Sequence, residues 1–287
     1  MPRHISPLQK KLKIIRPALR YFGGKWRIAS WIVSNFPTHV SYVEPFCGAA
    51  SVLLQKPPSK LETINDKDLE VVNFFTMLRT YPDRLIREIE LTPYSRYEYW
   101  NAYQQTNDPI ESARRYYVRS WFGRGGTRKE SGGWRFMVTD SRGGSVVDDW
   151  RRIGHLKLIV ERLQMVQIEN DDAFTIIERY DTPNTLFYVD PPYLFSSRSS
   201  RWNTAYKYEL SDDDHVRLAE VLNRVKGMVV ISGYQSTLYS ELYNGWICKT
   251  KKDRKENLKS SIECLWISPI TRCNQPSLFA SIEGGQA

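Results

Sequence analysis

Apolar residues along this chain come in short runs that stop at acids. Tyr42-Val43 runs into Glu44-Pro45, then a turn of small residues, Cys47-Gly48-Ala49-Ala50-Ser51, then Val52-Leu53-Leu54. That order predicts a strand, a tight turn and a helix. Leu61-Glu62-Thr63-Ile64 leads into Asn65-Asp66, a second strand ending on an acid, and Leu69, Val72, Phe75 and Leu78 share one helix face. Ile153, Leu156, Val160 and Leu163 repeat at helical spacing, Met165 to Ile168 reads as a strand ending near Asp171-Asp172, and Leu186-Phe187-Tyr188-Val189 is a strand that meets Asp190. Ser211 precedes Asp212-Asp213-Asp214, acids placed where the dipole of a starting helix favours them, with Val216, Ala219 and Leu222 on its buried side. Met228 to Ser232 is another strand. Trp246 to Thr250 and Ile262 to Ser268 read as a closing pair around the basic loop Lys251 to Lys259. Strands alternating with helices predict an α/β fold whose sheet is mainly parallel, joined by crossovers.

The alternation breaks from about Thr92 to Asp149. Between Arg114 and Arg152 there are ten Arg or Lys against four Asp or Glu, with seven glycines and the interleaved aromatics Trp121, Phe122, Trp134 and Phe136. This texture predicts a small inserted domain over residues 92–152. The α/β domain is then discontinuous, over 14–91 and 153–275, with flexible termini at 1–13 and 276–287.

Length and composition limit the function classes. The 287 residues suffice for one large domain or two modest ones, and 41% hydrophobic content excludes a disordered composition. The 41 Lys and Arg exceed the 32 Asp and Glu, giving a net charge of +9, which favours a polyanionic partner through counterion release. Cys47, Cys248, Cys264 and Cys273 form no CxxC pair, so neither a metal site nor a disulfide framework is expected, and a reducing, cytoplasmic setting fits. The basic start of the chain has no signal-peptide pattern. No segment approaches the ~20 apolar residues that span a bilayer.

Three segments carry candidate chemistry. Asp190-Pro191-Pro192-Tyr193 follows a buried strand, and its prolines fix the chain and remove two backbone donors. A flat ring bearing an amino group is matched by such a surface. The Asp190 carboxylate and the Pro191 carbonyl can each accept one amino hydrogen, which turns the nitrogen lone pair toward an electrophile, while Tyr193 can stack on the ring. Glu44-Pro45-Phe46-Cys47-Gly48-Ala49-Ala50-Ser51 lies at the carboxyl end of the first strand, the edge where open parallel sheets bind ligands. Asp66 ends the next strand, placed to hold the hydroxyls of a ribose. In isolation this segment is equally an ordinary strand-to-helix turn. Tyr21-Phe22-Gly23-Gly24-Lys25 opens the helix of Ile28, Trp31, Ile32 and Phe36 and suggests an anion site, although the P-loop spacing is absent.

Together and in this order, the segments resemble the Dam-like DNA adenine methyltransferases with the DPPY motif. The resemblance runs from about Leu19 to Pro269 and is weakest from Thr92 to Asp149. It implies a Rossmann-like, doubly wound methyltransferase sheet with an antiparallel C-terminal strand, plus an inserted target-recognition domain. It implies the cofactor S-adenosyl-L-methionine, with Tyr21 and Lys25 beside it, Glu44, Phe46 and Gly48 at its methionine end, and Asp66 on its ribose. Asp171 or Asp172 would reach its adenine, and Asp190 serves both cofactor and catalysis, with Pro191, Pro192 and Tyr193. One departure stands at Ala50, where many relatives have a second glycine.

The substrate so implied is adenine in double-stranded DNA, flipped out of the duplex to reach the pocket, with neither a metal nor a covalent intermediate required. Arg119, Arg124, Arg128 and Arg135 of the insertion are candidates for reading guanine edges or holding phosphates. A monomeric, prokaryotic or phage enzyme of the restriction-modification type is the expected setting. RNA adenine methylation and a DNA-binding protein with a decayed site are the alternatives; the presence of Lys25, Asp66, Asp190 and Tyr193 argues against decay.

Overall fold

The computed structural model describes residues 14–127, 132–139, 145–198, 206–254 and 260–273. Arg128, Gly143, Gly144, residues 255–259 of the basic loop and both termini lie outside the described residues.

Seven strands form one sheet: β1 Ser41–Glu44, β2 Leu61–Asn65, β3 Val166–Glu169, β4 Thr185–Val189, β5 Met228–Tyr234, β6 Ile247–Arg254 and β7 Ser260–Ile267. Their order is β3-β2-β1-β4-β5-β7-β6. The pairs from β3 through β5 are parallel, and β7 inserts antiparallel between β5 and β6. The chain fills one side of β1 with β2 and β3, then returns to place β4 on the other side. The sheet therefore switches direction between β1 and β4, the place where open parallel sheets leave a crevice.

The sequence explains why this sheet is covered on both faces. Every residue of β4 is buried, as a central parallel strand requires. Leu186 and Tyr188 join one apolar cluster, whereas Phe187 and Val189 join the other. That alternation is the period-2 geometry of a strand. The helices Leu69–Thr80 and His155–Leu163 cover the first face, and Ala173–Arg179 and Asp212–Leu222 the second. Asp212–Leu222 begins with a complete capping box, in which Ser211 accepts from the Asp214 amide and Asp214 accepts from Ser211. Asn65 ties the carboxyl edge together. Its side-chain amide donates to the carbonyls of Pro45 (2.9 Å) and Asp171 (3.1 Å), and its oxygen accepts from the Asp171 amide (2.9 Å).

The helix read from Ile28 to Phe36 is one short piece, Ala29–Val33. The segment from 92 to 152 contains more regular structure than its composition suggests. Asp108 caps the helix Pro109–Phe122 by accepting from the amides of Ile110 and Glu111, with proline at the first helical position. Ala113, Tyr116, Tyr117, Trp121 and Phe122 of this helix and Trp150 share a single apolar cluster with the sheet residues Tyr42, Ile64 and Leu186. The described part of the segment thus packs on the core of the sheet.

A stability experiment follows from that shared core. Phe122 is fully buried, 4.2 Å from the Tyr94 ring and 4.6 Å from that of Trp150. Phe122→Ala should cost about 3–5 kcal/mol and lower the urea midpoint of the whole chain in one transition. A separate early transition for residues 92–152, seen by fluorescence but not by circular dichroism of the sheet, would contradict a common core.

Candidate active site

Glu44 ends β1 and Asp190 follows β4; the register of these adjacent strands sets Glu44 level with Tyr188, two residues before Asp190, and both acids line the cavity at the switch point. Below them opens a cavity of about 540 Å³, within the range of sites for small ligands and cofactors. Its walls come from the Tyr21–Lys25 segment, the Glu44–Val52 turn, Asp66 to Asp68, Asp172 to Phe174, Asp190 and Pro192, and Tyr206 to Leu210.

The small residues of the turn after β1 have geometric reasons. Gly48 has φ +47°, and a Cβ there would lie 2.8 Å from the Tyr21 ring. Asp66 fixes the turn: its two carboxylate oxygens accept from the amides of Gly48 and Asp68, each at 2.9 Å. Ala50, where the resemblance led to an expectation of glycine, has φ +48°, a left-handed conformation with a steric cost for any residue with a Cβ. Burial pushes Asp66 up to about 6 despite those two amides. Burial likewise raises Glu44 to about 7, opposed by the Tyr42 hydroxyl at 2.6 Å and the Leu53 amide at 2.7 Å.

The GGK segment meets the DPPY segment through a buried cluster of charges. Lys25 Nζ lies 2.8 Å from Asp190 Oδ1 and 3.8 Å from Glu263 Oε1, and it donates to the Gly23 carbonyl at 2.8 Å. Burial opposes the charge on Lys25, but Asp190 and Glu263 outweigh it and hold the ammonium above the ordinary lysine range. The anion that the segment captures is thus a carboxylate of the protein itself. Asp190 Oδ1 also accepts from Ser232 Oγ at 2.7 Å. The Tyr193 hydroxyl donates to Glu263, the Lys25 ammonium sits 4.7 Å over the Tyr193 ring, and Tyr234 packs edge-on against it at 4.7 Å. Gly23 has φ +74°, and a Cβ there would run into the Tyr206 hydroxyl.

Most residues singled out from the sequence surround this cavity: Tyr21, Lys25, Glu44, Phe46, Gly48, Asp66, Asp190 and Pro192 all line it. Asp171 does not. Its carboxylate turns outward to Arg179 at 2.8 Å, and it is Asp172 that lines the cavity while capping the helix Ala173–Arg179. Pro191 and Tyr193 are buried behind the cavity wall, with Tyr193 only 7% exposed.

The arginines of the insertion divide by partner. Arg119 pairs with Glu70 and also donates to the Ala102 carbonyl, and Arg135 pairs with Asp149 at 2.8 Å. Both are therefore paired within the protein in this structure. Arg124 is exposed, with its guanidinium 5.1 Å over the ring of Phe136. Arg96, which the sequence pattern did not single out, lies 4.7 Å over Trp134, and the Trp134 and Phe136 rings stack at 5.6 Å. Gly126, with φ +80°, lets this glycine-rich turn approach Arg20, whose carbonyl accepts from the Thr127 amide at 2.8 Å.

Sequence reasoning also missed Ser232, Glu263 and the wall from Tyr206 to Leu210. Ser232 and Glu263 lie on strands read correctly as strands, but nothing local announces that β5 and β7 deliver them to Asp190. Among the described residues, no cluster of His, Cys, Asp and Glu is arranged to hold a metal ion.

Residues 21–258 match the family model described as D12 class N6 adenine-specific DNA methyltransferase. The chain is 25% identical over 265 residues to the type II methyltransferase M.MjaIII of Methanocaldococcus jannaschii, covering 82% of this chain and 90% of that protein. It is 27% identical over 274 residues to the type II methyltransferase M1.LlaDCHI of Lactococcus lactis, covering 88% and 94%. It is 24% identical over 245 residues to a DNA adenine methylase of Vibrio cholerae, covering 82% and 87%.

Proposed function

The chain belongs to the D12 class of N6 adenine-specific DNA methyltransferases and methylates adenine in DNA; we propose that S-adenosylmethionine is the donor and that the target base reaches Asp190 flipped out of double-stranded DNA. The observation that carries this reading is the position of Asp190, at the junction between the acid-lined cavity and the buried Tyr193 ring.

The residues present fit the donor. Phe46, with Glu44 beside it, suits the methionine end, Asp66 the ribose and Asp172 with Phe174 the adenine; all five line one cavity. When bound, the donor supplies an electrophilic methyl group on a positively charged sulfur. The protein's part is alignment and charge placement. Asp190 and the Pro191 carbonyl accept the two hydrogens of the adenine amino group and turn its lone pair toward the methyl carbon. As the new N–C bond forms, the old C–S bond breaks, and the extra proton on the nitrogen passes to Asp190 and then to solvent. Base stacking falls to Tyr193, which offsets part of the few kcal/mol needed to unstack the base.

Arg124 and Arg96, exposed and supported by Phe136 and Trp134, are the insertion's contacts to DNA. Arg119 and Arg135 instead support the protein that presents them.

Incubation with labelled S-adenosylmethionine and unmethylated duplex DNA, followed by nucleoside analysis, should yield N6-methyladenine. Label in RNA alone, or none in either nucleic acid, would overturn the reading. Asp190→Ala should reduce transfer by roughly 10²- to 10³-fold or more, with the fold retained but the melting temperature lowered by loss of the buried pair with Lys25; near-normal turnover would remove Asp190 from the mechanism.

Donor affinity should depend on pH through Glu44, whose acid burial pushes up to about 7. A cationic donor favours the ionised carboxylate. Affinity therefore falls below pH 7 by roughly tenfold per unit and levels off above it. Titration calorimetry at pH 6, 7 and 8 measures this, and Glu44→Gln should weaken binding at pH 8 and flatten the profile.

The double variant Arg96→Ala/Arg124→Ala should weaken DNA binding and reduce the salt slope by roughly two, as read by fluorescence anisotropy across a salt series. An unchanged slope would exclude both arginines as phosphate contacts.

A further inference from the structure

In this structure the two features offered to the target base are already in use. Asp190 Oδ1 is bonded to both Lys25 Nζ (2.8 Å) and Ser232 Oγ (2.7 Å), and a face of the Tyr193 ring is covered by the same ammonium at 4.7 Å. Lys25, Asp190 and Glu263 expose only 8%, 18% and 5% of their side chains. An adenine amino group that takes Asp190 Oδ1, rather than its second oxygen, must therefore displace a cation from a place with little water. A buried ammonium left without a carboxylate is strongly unfavourable, so the displaced Lys25 needs a second partner within reach.

We propose that Glu263, on β7, is a positioning residue of methyl transfer: it is the anchor to which the Lys25 ammonium moves when the target adenine takes Asp190. The inference rests on the reading above that the base binds at Asp190. The Lys25–Glu263 separation is 3.8 Å, and a charge-assisted N–H···O bond spans ~2.8 Å, so a shift of about 1 Å completes the exchange. The same movement draws the ammonium from Asp190 Oδ1. Glu263 also accepts from the Tyr193 hydroxyl, so it holds the ring in place while the ammonium shifts.

The test compares full-length wild type with Glu263→Gln, which keeps the side chain's length and an acceptor for Tyr193 but removes the charge. Mapping of wild-type methylation supplies the target site. Three readouts are taken: S-adenosylmethionine affinity by calorimetry, the single-turnover rate of methylation, and fluorescence of 2-aminopurine placed at the target base. With the second anchor lost, Lys25 stays on Asp190. Donor affinity should then remain within threefold of wild type, while the single-turnover rate falls at least tenfold and the 2-aminopurine signal of the flipped base is reduced. A rate within threefold of wild type overturns the inference. So does a loss of rate fully explained by an equal loss of donor affinity. Should Glu263→Gln prove too unstable to assay, Glu263→Asp retains the charge at a longer reach. It should keep more than a tenth of wild-type rate if charge is what matters, and a greater loss than that, with the fold and donor affinity intact, rejects the anchor. The wild-type arm separates the two failures. No label in DNA adenine from wild type rejects the reading of Asp190, whereas active wild type with an equally active Glu263→Gln rejects only the role of Glu263.

Discussion

The parallel pairing of β1 with β4 is the constraint from which the site follows. These strands are far apart in sequence, and only their adjacency places Glu44 and Asp190 at one edge. Three further tethers add to it. Asn65 joins the turns after β1 and β3, Asp66 shapes the turn around Gly48, and Lys25 bridges from the segment before β1 to the acid after β4. Removing the β1–β4 register would separate the cavity's acid walls before altering any side chain. The antiparallel β7 extends the same edge and adds Glu263, so the site draws on residues from nearly the full length of the chain.

The strands were legible because each is a short apolar run closed by an acid or a turn. Several of these acids, Glu44, Asp66 and Asp190, line the cavity, so reading strand ends also read much of the candidate site. Helices on the sheet faces were legible where one face is apolar, as at Leu69, Val72, Phe75 and Leu78. Pro109–Phe122 was not, because nine of its fourteen residues are buried, Arg114 among them, leaving no polar stripe to set against an apolar one. Charge patterns are incomplete in a related way: nothing local in the basic glycine-rich stretch shows that Arg119 and Arg135 pair with Glu70 and Asp149, one of them far away in sequence. Asp171 and Asp172 are indistinguishable as adjacent acids, and only the hydrogen bond to Arg179 turns one away from the cavity. Glu263 could not be found at all, because a single acid on a hairpin strand carries no local sign of the lysine it will meet.

The insertion and the active site are mechanically joined. The turn that carries Arg124 continues through Gly126 and Thr127, and Thr127 is hydrogen-bonded to the Arg20 backbone just ahead of the GGK segment. The exposed arginine–aromatic surface is therefore only a few residues of backbone from Lys25. A side chain between them could not substitute for the close approach at Gly126, where a Cβ would lie 2.3 Å from the Arg20 carbonyl. Under the proposed function, contact between DNA and that turn would bear on the backbone that leads into the cavity wall.

The cavity stores acids in an environment that disfavours their charge. Glu44 and Asp66 are both pushed up, to about 7 and about 6, chiefly by burial. Such burial is a cost to the free protein, and sites commonly retain it because a ligand of opposite charge reverses its sign. The donor proposed above, bearing an ammonium and a sulfonium, would do this in one step, replacing the water that the acids lost with positive charge. Once its methyl had been given up the sulfur would be neutral, and part of that compensation would disappear. The same buried acids that would favour the charged donor would therefore favour its departure after transfer. A neutral pocket would bind donor and spent donor alike through shape, and would lose this discrimination.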